Sequence, residues 1–138
     1  MLPCLIFEDE HLLVVNKPAG LNTHAPSPYA GEGLYDWLRH REPRWAALAI
    51  IHRLDKETSG LMVFGKTPLA NRSLTAQFAA RSVHKIYQLR TDRRVPVGEQ
   101  VVISGIARAG DHYVSSADGE PAETHFRLLS DGLVQAQP

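Results

Sequence analysis

Residues 52–60 read HRLDKETSG and decide the fold, because this charged stretch joins two short apolar runs at residues 46–51 and 61–64. Short apolar runs bounded by turn residues are typical of buried strands. A hairpin loop usually contains about two to five residues and does not need so many charged groups. The stretch therefore predicts a strand pair whose connection carries chemistry.

The side chains of Arg53 and Asp55 are predicted to point the same way. In an extended chain the period of two puts both on one side and turns Leu54 into the apolar layer. A neighbouring cation favours the charged form of a carboxylate, so we expect Asp55 to be ionised at neutral pH and able to act as a nucleophile or a base. The alternative is a solvated loop with a surface ion pair worth roughly 0 to 1 kcal/mol.

Three ordered motifs carry a resemblance to a known family. Residues 52–61, followed by Lys66, resemble the signature H-R-L-D-x-x-T-S-G-L with a Lys shortly after it, which is that of the RluA-type family of RNA pseudouridine synthases. Upstream, residues 16–20 read NKPAG, similar to the family's N-K-P-x-G loop. Downstream, residues 85–87 read KIY, similar to its K-x-Y strand. The match is unbroken at these positions.

The resemblance implies isomerisation of uridine to pseudouridine in ribosomal or transfer RNA. In this reaction the glycosidic bond breaks, the uracil turns, and the base is rejoined to the sugar through carbon 5, without a metal or another cofactor. Asp55 matches the family's essential catalytic carboxylate. The sequence leaves open whether this group attacks the sugar, attacks the base or removes a sugar proton, and which RNA and which uridine are modified.

The resemblance also implies which residues contact the RNA. Arg53 matches a residue associated with filling the place of the extruded nucleotide, and Tyr87 matches one that lies against the target uracil. Flipping a base out of its stack costs a few kcal/mol, which stacking on a guanidinium or an aromatic ring can offset. His52 and Lys85, from the same motifs, are further RNA-binding candidates, and Lys17 is a weaker one. Without the resemblance, Tyr87 reads as an ordinary strand tyrosine.

A net charge of zero hides a strong asymmetry along the chain. Residues 1–38 carry a net charge of −4, residues 39–108 carry +8 and residues 109–138 carry −4. The basic middle surrounds the motifs and suits contact with phosphate groups of an RNA partner. Charged runs are also common as solvated faces, so the asymmetry favours RNA binding only modestly.

Length and composition are typical of one globular domain over residues 1–138. Of its 138 residues, 43% are hydrophobic and 22% are charged, which is enough for a single core. No apolar run approaches the roughly 18 residues of a membrane span, and the acidic residues 8–10 argue against a signal peptide, so we expect a cytoplasmic protein. The single cysteine, Cys4, is predicted to be a small buried hydrophobe. The seven histidines show no metal-ligand spacing, so no metal site is predicted.

Turn signals and periodicity predict an α+β fold with a mixed, mostly antiparallel β-sheet and a few flanking helices. A loop rich in Pro and Gly is expected over 17–33. Thr67 is predicted to cap a helix that has Pro68 at its first position and ends near Arg81. The other predicted elements are a helix at 34–41 and strands near 4–7, 12–16, 83–90, 100–105, 111–115, 122–129 and 133–138.

The chain departs from the family at its C-terminus. Members normally continue into a G-R-T-H-Q-I-R-type segment, so the resemblance predicts the N-terminal portion of a pseudouridine synthase catalytic domain that is incomplete at the C-terminus. A missing strand exposes a sheet edge, which predicts self-association.

Two alternatives to an active synthase follow. One is a noncatalytic RNA-binding remnant. The other is a carboxylate-based hydrolase of nucleosides or glycosides, for which a second catalytic Asp or Glu is expected; Glu57 is nearby but adjacent in the same loop.

Overall fold

The computed structural model describes residues 4–25, 27 and 31–138. The chain divides into two compact units, Met1–Val83 and His84–Pro138, and each contains its own β-sheet. In the described part of the chain, no helix is long and apolar enough to cross a membrane. The assignment of residues 1–138 to one synthase-like domain stays a prediction.

The first unit contains a four-stranded sheet, two α-helices and one 3-10 helix. The strands follow the order β1-β2-β4-β3, and every pair is antiparallel. The elements are β1 (Cys4–Glu8), β2 (Leu12–Lys17), α1 (Leu34–Arg41), the 3-10 helix (Pro43–Trp45), β3 (Ala49–Ile50), β4 (Gly60–Gly65) and α2 (Pro68–Ala79).

The second unit is a five-stranded antiparallel sheet with the strand order β5-β9-β8-β6-β7. The strands are β5 (Tyr87–Arg90), β6 (Glu99–Ala109), β7 (His112–Ser115), β8 (Glu120–Ser130) and β9 (Leu133–Gln137). Because β5 pairs with β9 alone, it is an outer strand, whereas β9 lies between β5 and β8.

The core of the first unit is built on the period of two. Leu13 of β2 lies opposite Phe64 of β4, and Val15 lies opposite Met62. These four side chains are almost completely buried. Tyr35 of α1 stacks on Phe64 with ring centroids 6.3 Å apart, so α1 covers this face of the sheet. The loops that carry the motifs therefore start from well-packed strands.

The predicted fold class is confirmed, and so is the capped helix. The Thr67 hydroxyl accepts the N–H of Ala70 at 3.3 Å, and Pro68 is the first residue of α2. The helix ends at Ala79 rather than near Arg81, because Arg81 adopts a φ of +54° that cannot continue a right-handed helix.

Two details of the sequence analysis are wrong. Cys4 is exposed rather than buried, because β1 is an outer strand that pairs with β2 alone. The strand predicted at 83–90 begins only at Tyr87, where pairing with Ala136 of β9 starts. Apolar residues such as Val83 favour a strand locally, but ladder formation requires a partner.

Candidate active site

The backbone of Leu54 is held by a single hydroxyl group. Thr23, in the loop between β2 and α1, donates its hydroxyl proton to the Leu54 carbonyl at 2.7 Å and accepts the Leu54 N–H at 3.2 Å. Both residues are buried. One oxygen can donate one hydrogen bond and accept another, so Thr23 satisfies both polar groups of a residue that lies outside the strands.

Thr23 is fixed in turn by the start of α1. Its carbonyl accepts the N–H of Tyr35 at 2.9 Å, and the carbonyl of Asn22 accepts the N–H of Leu34 at the same distance. The first N–H groups of a helix have no acceptor within the helix, and here loop carbonyls accept two of these N–H groups. The loop thus connects the helix terminus to the segment that contains Leu54.

Tight backbone packing supports this connection. The Asp36 carboxylate accepts the N–H of Ala25 at 2.7 Å and that of Gly33 at 3.3 Å. A Cβ atom at Gly33 would lie 2.4 Å from the backbone of His24, closer than any real contact. Glycine is therefore required where the loop enters α1.

Lys17 at the end of β2 ties the same loop to the other side of the charged segment. Its side chain is completely buried, and its Nζ donates to the carbonyls of Pro18 at 3.1 Å, Leu21 at 2.7 Å and Lys56 at 3.1 Å. The carbonyl of Lys56 also accepts the N–H of Gly20 at 2.8 Å. An ammonium group has three protons, and all three are used.

The electrostatic surroundings of Lys17 combine burial with two carboxylates. Removal from water lowers the pKa of the ammonium, and the negative charges of Glu57 and Asp55 act in the opposite direction. A buried cation is costly unless it is paired or fully hydrogen-bonded. The nearby carboxylates and the three carbonyls together account for a lysine in this position.

Asp55 lies on the surface between the two held positions. Its carbonyl accepts the N–H of Thr58 at 3.1 Å, which closes a tight turn, and Gly60 follows with a φ of +141° that favours glycine. The side chains of Arg53 and Asp55 are exposed, and Leu54 points into the core. This burial pattern agrees with the alternation predicted from the sequence.

His52 packs inside the first unit. Its Nε2 accepts the backbone N–H of Val63 at 3.2 Å, and its ring stacks on Phe78 of α2 at a centroid distance of 4.7 Å. An acceptor Nε2 requires a lone pair, which identifies the tautomer with its proton on Nδ1. The contacts of His52 join the segment before Arg53 to both β4 and α2.

The two motif residues of the second unit lie at the start of its outer strand. Tyr87 is partly buried on β5 opposite Ala136, and Lys85 is exposed just before that strand. The KIY motif therefore lies at a sheet edge, where side chains are accessible to a large ligand.

Sequence reasoning missed Thr23 altogether. Its only sequence signal is a hydroxyl residue in a Pro- and Gly-rich loop, which is not specific. Among residues 4–25, 27 and 31–138, no group of three or more His, Cys, Asp or Glu side chains is placed to hold a metal ion. The structure brings together four of the six predicted site residues in the first unit, namely Lys17, His52, Arg53 and Asp55.

The sequence of residues 11–138 matches the RNA pseudouridylate synthase family. The chain belongs to this family. The "Ribosomal large subunit pseudouridine synthase D" of Zymomonas mobilis is 36% identical over 137 residues, which cover 91% of this chain and 43% of that protein. The "Ribosomal large subunit pseudouridine synthase C" of Vibrio cholerae is 33% identical over 145 residues, which cover 98% of this chain and 44% of that protein. The chain thus spans less than half the length of these relatives.

Solved structures agree with the family assignment. The human "RNA Pseudouridylate Synthase Domain Containing 4" matches with a TM-score of 0.75 and 28% identity, and the match covers 98% of this chain and 58% of that one. The human "RNA Pseudouridylate Synthase Domain Containing 1" matches with a TM-score of 0.80 over 99% of this chain and 59% of that one. At 20% identity, the second comparison shows the RNA pseudouridylate synthase fold alone.

Proposed function

We propose that this chain takes part in isomerising uridine to pseudouridine in structured RNA, with the Asp55 carboxylate as the catalytic group. The observation that carries the proposal is the support on both sides of Asp55. Thr23 holds the backbone of Leu54, and Lys17 holds the carbonyl of Lys56. An exposed carboxylate on a backbone held at both neighbours is preorganised for nucleophilic attack or proton transfer.

The isomerisation places clear demands on such a carboxylate. The bond between N1 of uracil and C1′ of the sugar breaks, a bond between C5 and C1′ forms, and the hydrogen on C5 is replaced while N1 gains a proton. No electrons are gained or lost. A carboxylate can serve either as the nucleophile or as the base in this sequence.

The RNA contacts in the proposal come from Arg53 in the first unit and from Tyr87 and Lys85 in the second. Arg53 is exposed two residues from Asp55 in sequence and is proposed to occupy the space of the flipped nucleotide. Tyr87 is proposed to lie against the uracil, and Lys85 to contact the backbone. By contrast, we assign His52 and Lys17 as positioning residues, because their polar atoms are engaged with the protein.

Relatives named as ribosomal large subunit pseudouridine synthases make ribosomal RNA the first substrate to test. Transfer RNA is the second. A cytoplasmic location follows from either substrate and stays a prediction.

The experiment is tritium release from unmodified ribosomal and transfer RNA transcripts labelled at uridine C5. Wild-type chain, Asp55→Asn and Glu57→Gln are compared, and both variants remove one exposed carboxylate from the same turn. We expect release by the wild type and by Glu57→Gln, and a loss of at least about 10³-fold for Asp55→Asn. Equal activity of Asp55→Asn and wild type would refute the assignment.

Two outcomes separate the alternatives from the proposal. Free uracil in the reaction would identify a hydrolase, and Glu57→Gln would then also be inactive. Salt-sensitive RNA binding without tritium release from any transcript would identify a noncatalytic RNA-binding protein.

A further inference from the structure

An open cleft lies in the second unit, where the turn that follows β5 meets the turn between β8 and β9. Its volume is about 540 Å³, and it is lined by residues 90–94 and 131–132. Three of the lining residues are arginines and two are aspartates, and none is aromatic. We call this feature the 90–94 cleft.

The backbone of the 90–94 cleft is held in place. The N–H of Thr91 donates to the carbonyl of Gly132 at 2.9 Å, and the N–H of Arg93 donates to the Thr91 hydroxyl at 3.0 Å. Gly132 has a φ of +64°, and a Cβ atom there would lie 2.9 Å from the Thr91 carbonyl. The two turns thus approach as closely as a glycine allows, so the cleft walls are built on fixed backbone.

The guanidinium groups that line the cleft are available to a ligand. Within the described residues, the side chains of Arg90, Arg93 and Arg94 form no ion pair and no hydrogen bond. Elsewhere, Arg44 pairs with Glu8 and the Nε of Arg39 donates to a backbone carbonyl. Three exposed arginines that line one cleft and have no ion-pair or hydrogen-bond partner in the described protein offer a site for anions.

We propose that the 90–94 cleft binds phosphodiester groups of an RNA chain. Arginine presents a planar fork of donors that matches phosphate oxygens, and three guanidiniums outnumber the carboxylates of Asp92 and Asp131. Because no aromatic residue lines the cleft, it offers no ring on which bases can stack, and the arginine forks match phosphate oxygens, so we assign the contact to the backbone. An open cleft accepts a continuous chain. The inference rests on the proposed function only in taking RNA as the partner.

The test measures binding of the full chain to a fluorescein-labelled RNA hairpin of about 20 nucleotides by anisotropy, between about 50 and 200 mM salt. For Arg93→Gln/Arg94→Gln we expect weaker binding and a slope of log affinity against log salt that is shallower by about 1 to 2. The control is Arg108→Gln/Arg127→Gln, which changes the net charge equally on exposed residues of the same unit outside the cleft. Its slope should change by less than half as much, because salt screens distant charges.

A second variant reverses the sign of the effect. Asp92→Asn/Asp131→Asn removes the two carboxylates that repel phosphate, and asparagine is well tolerated in turns. We expect several-fold tighter RNA binding at low salt, in a variant whose thermal unfolding matches that of the wild type. Unchanged or weaker binding by this variant, in a folded chain, would overturn the proposal.

Further outcomes separate this inference from the proposed function. Tritium release that persists at saturating RNA in Arg93→Gln/Arg94→Gln, with a raised KM, supports both. If the wild-type chain is catalytically inactive but the salt slopes of the two arginine variants differ as expected, the phosphate site is supported and the proposed activity is wrong. Equal salt slopes for the two arginine variants would overturn the proposal that the 90–94 cleft binds RNA, without affecting the proposed activity. So would displacement of the hairpin by micromolar uridine monophosphate, because that result would indicate a site for a single nucleotide.

Discussion

Thr23 and Leu54 are joined through one hydroxyl group, which donates to the Leu54 carbonyl at 2.7 Å and accepts the Leu54 N–H at 3.2 Å. The two residues are 31 positions apart in the sequence. This pair and the contact between Lys17 and Lys56 hold the backbone on the two sides of Asp55. These contacts therefore set the backbone position of Asp55, the proposed catalytic carboxylate.

Replacing Thr23 by Val should damage both stability and activity. The side chains have the same shape, but valine leaves a buried N–H and a buried carbonyl of Leu54 without partners. Each unsatisfied group costs about 1 to 3 kcal/mol, so we expect the two together to lower the free energy of unfolding by roughly 2 to 6 kcal/mol. Urea denaturation measures this loss directly.

Thr23→Ser is the matched control, because it keeps the hydroxyl and removes one methyl group. It should retain most of the tritium release, whereas Thr23→Val loses at least about tenfold in kcat through displacement of Asp55. Similar losses in the two variants would show that packing of the methyl group, rather than the two hydrogen bonds, holds this segment.

Lys17→Met should destabilise the chain without changing how RNA binding depends on salt. The change removes the donor to three carbonyls, and burial of the methionine offsets part of the cost. A lost phosphate contact would reduce the salt slope by about 1, whereas a positioning residue leaves the slope unchanged. Anisotropy titrations with the same RNA hairpin measure the slope, and urea denaturation measures the stability.

Lys17→Arg provides the sharper comparison. A direct phosphate contact would tolerate arginine. The Lys17 side chain, however, is completely buried with its Nζ bonded to three carbonyls, an arrangement that a larger, planar guanidinium does not match. We expect Lys17→Arg to lose stability and tritium release as Lys17→Met does. Normal stability and activity of Lys17→Arg would restore Lys17 as an RNA-contacting residue.

Local signals predicted most of the secondary structure correctly. Short apolar runs indicated β2 and β4, and the Thr67 cap with Pro68 indicated α2. These signals depend on neighbours within a few residues, which is why they can be found in a sequence alone. The exposure of Cys4 and the late start of β5 depend on strand order, and the local sequence does not contain it.

The site was predicted only in part, for the same physical reason. The alternation of Arg53, Leu54 and Asp55 is local and agrees with the burial of Leu54. The role of Thr23 depends on a contact across 31 positions, and the burial of Lys17 depends on how two loops close over it. Motif matching located these loops but not the hydrogen bonds that hold them.

Glu8 should make the first unit sensitive to acid. Its carboxylate accepts from Lys66 Nζ and from Trp45 Nε1, each at 2.9 Å, and lies 3.4 Å from Arg44. The bond from Lys66, then that from Trp45, holds the pKa of Glu8 below its ordinary value of 4.5. The resulting stability is present above that value and is lost as pH falls through the lower pKa of the folded state.

The measurement is the free energy of unfolding of Glu8→Gln and wild type between neutral pH and about pH 3. We expect Glu8→Gln to be about 1.5 to 3 kcal/mol less stable at neutral pH, with the difference vanishing in acid. Glu10→Gln removes an exposed charge two residues away and should have little effect at any pH. A difference for Glu8→Gln that persists in acid would contradict the electrostatic explanation.

The exposed apolar side chains of β6 should cause the chain to self-associate. Val101, Val102 and Ile103 are 50%, 50% and 74% exposed on a long strand. Val101 and Ile103 share one face of the strand and Val102 lies on the other, and exposed apolar surface of this kind favours contact between molecules. Sedimentation velocity should show an increase in average mass with concentration that Ile103→Thr reduces. Val97→Thr, at an isolated loop position, should leave it unchanged, and a compact wild-type monomer at all concentrations would refute the prediction.

His125 should stabilise the second unit only while it is protonated. Its Nδ1 lies 3.0 Å from a Glu99 oxygen and its Nε2 lies 2.8 Å from a Glu123 oxygen, so the imidazole bridges β6 and β8. A neutral imidazole can donate only one of these two bonds, whereas the imidazolium donates both. The bonds to Glu123 and then to Glu99 accordingly raise the pKa of His125 above its ordinary value.

The sign of the pH dependence follows from that shift. The folded state binds the proton more tightly than the unfolded state, so the stabilisation is fully present below the ordinary pKa of 6.5 and is lost as pH rises through the raised value. Thermal unfolding of wild type and His125→Gln should therefore differ at about pH 5.5 and converge at about pH 8.5. His84→Gln, an exposed histidine of the same unit, should follow the wild type throughout. If His125→Gln and wild type differ by the same amount at both pH values, the imidazolium bridge does not contribute, and packing of the ring between β6 and β8 accounts for the difference.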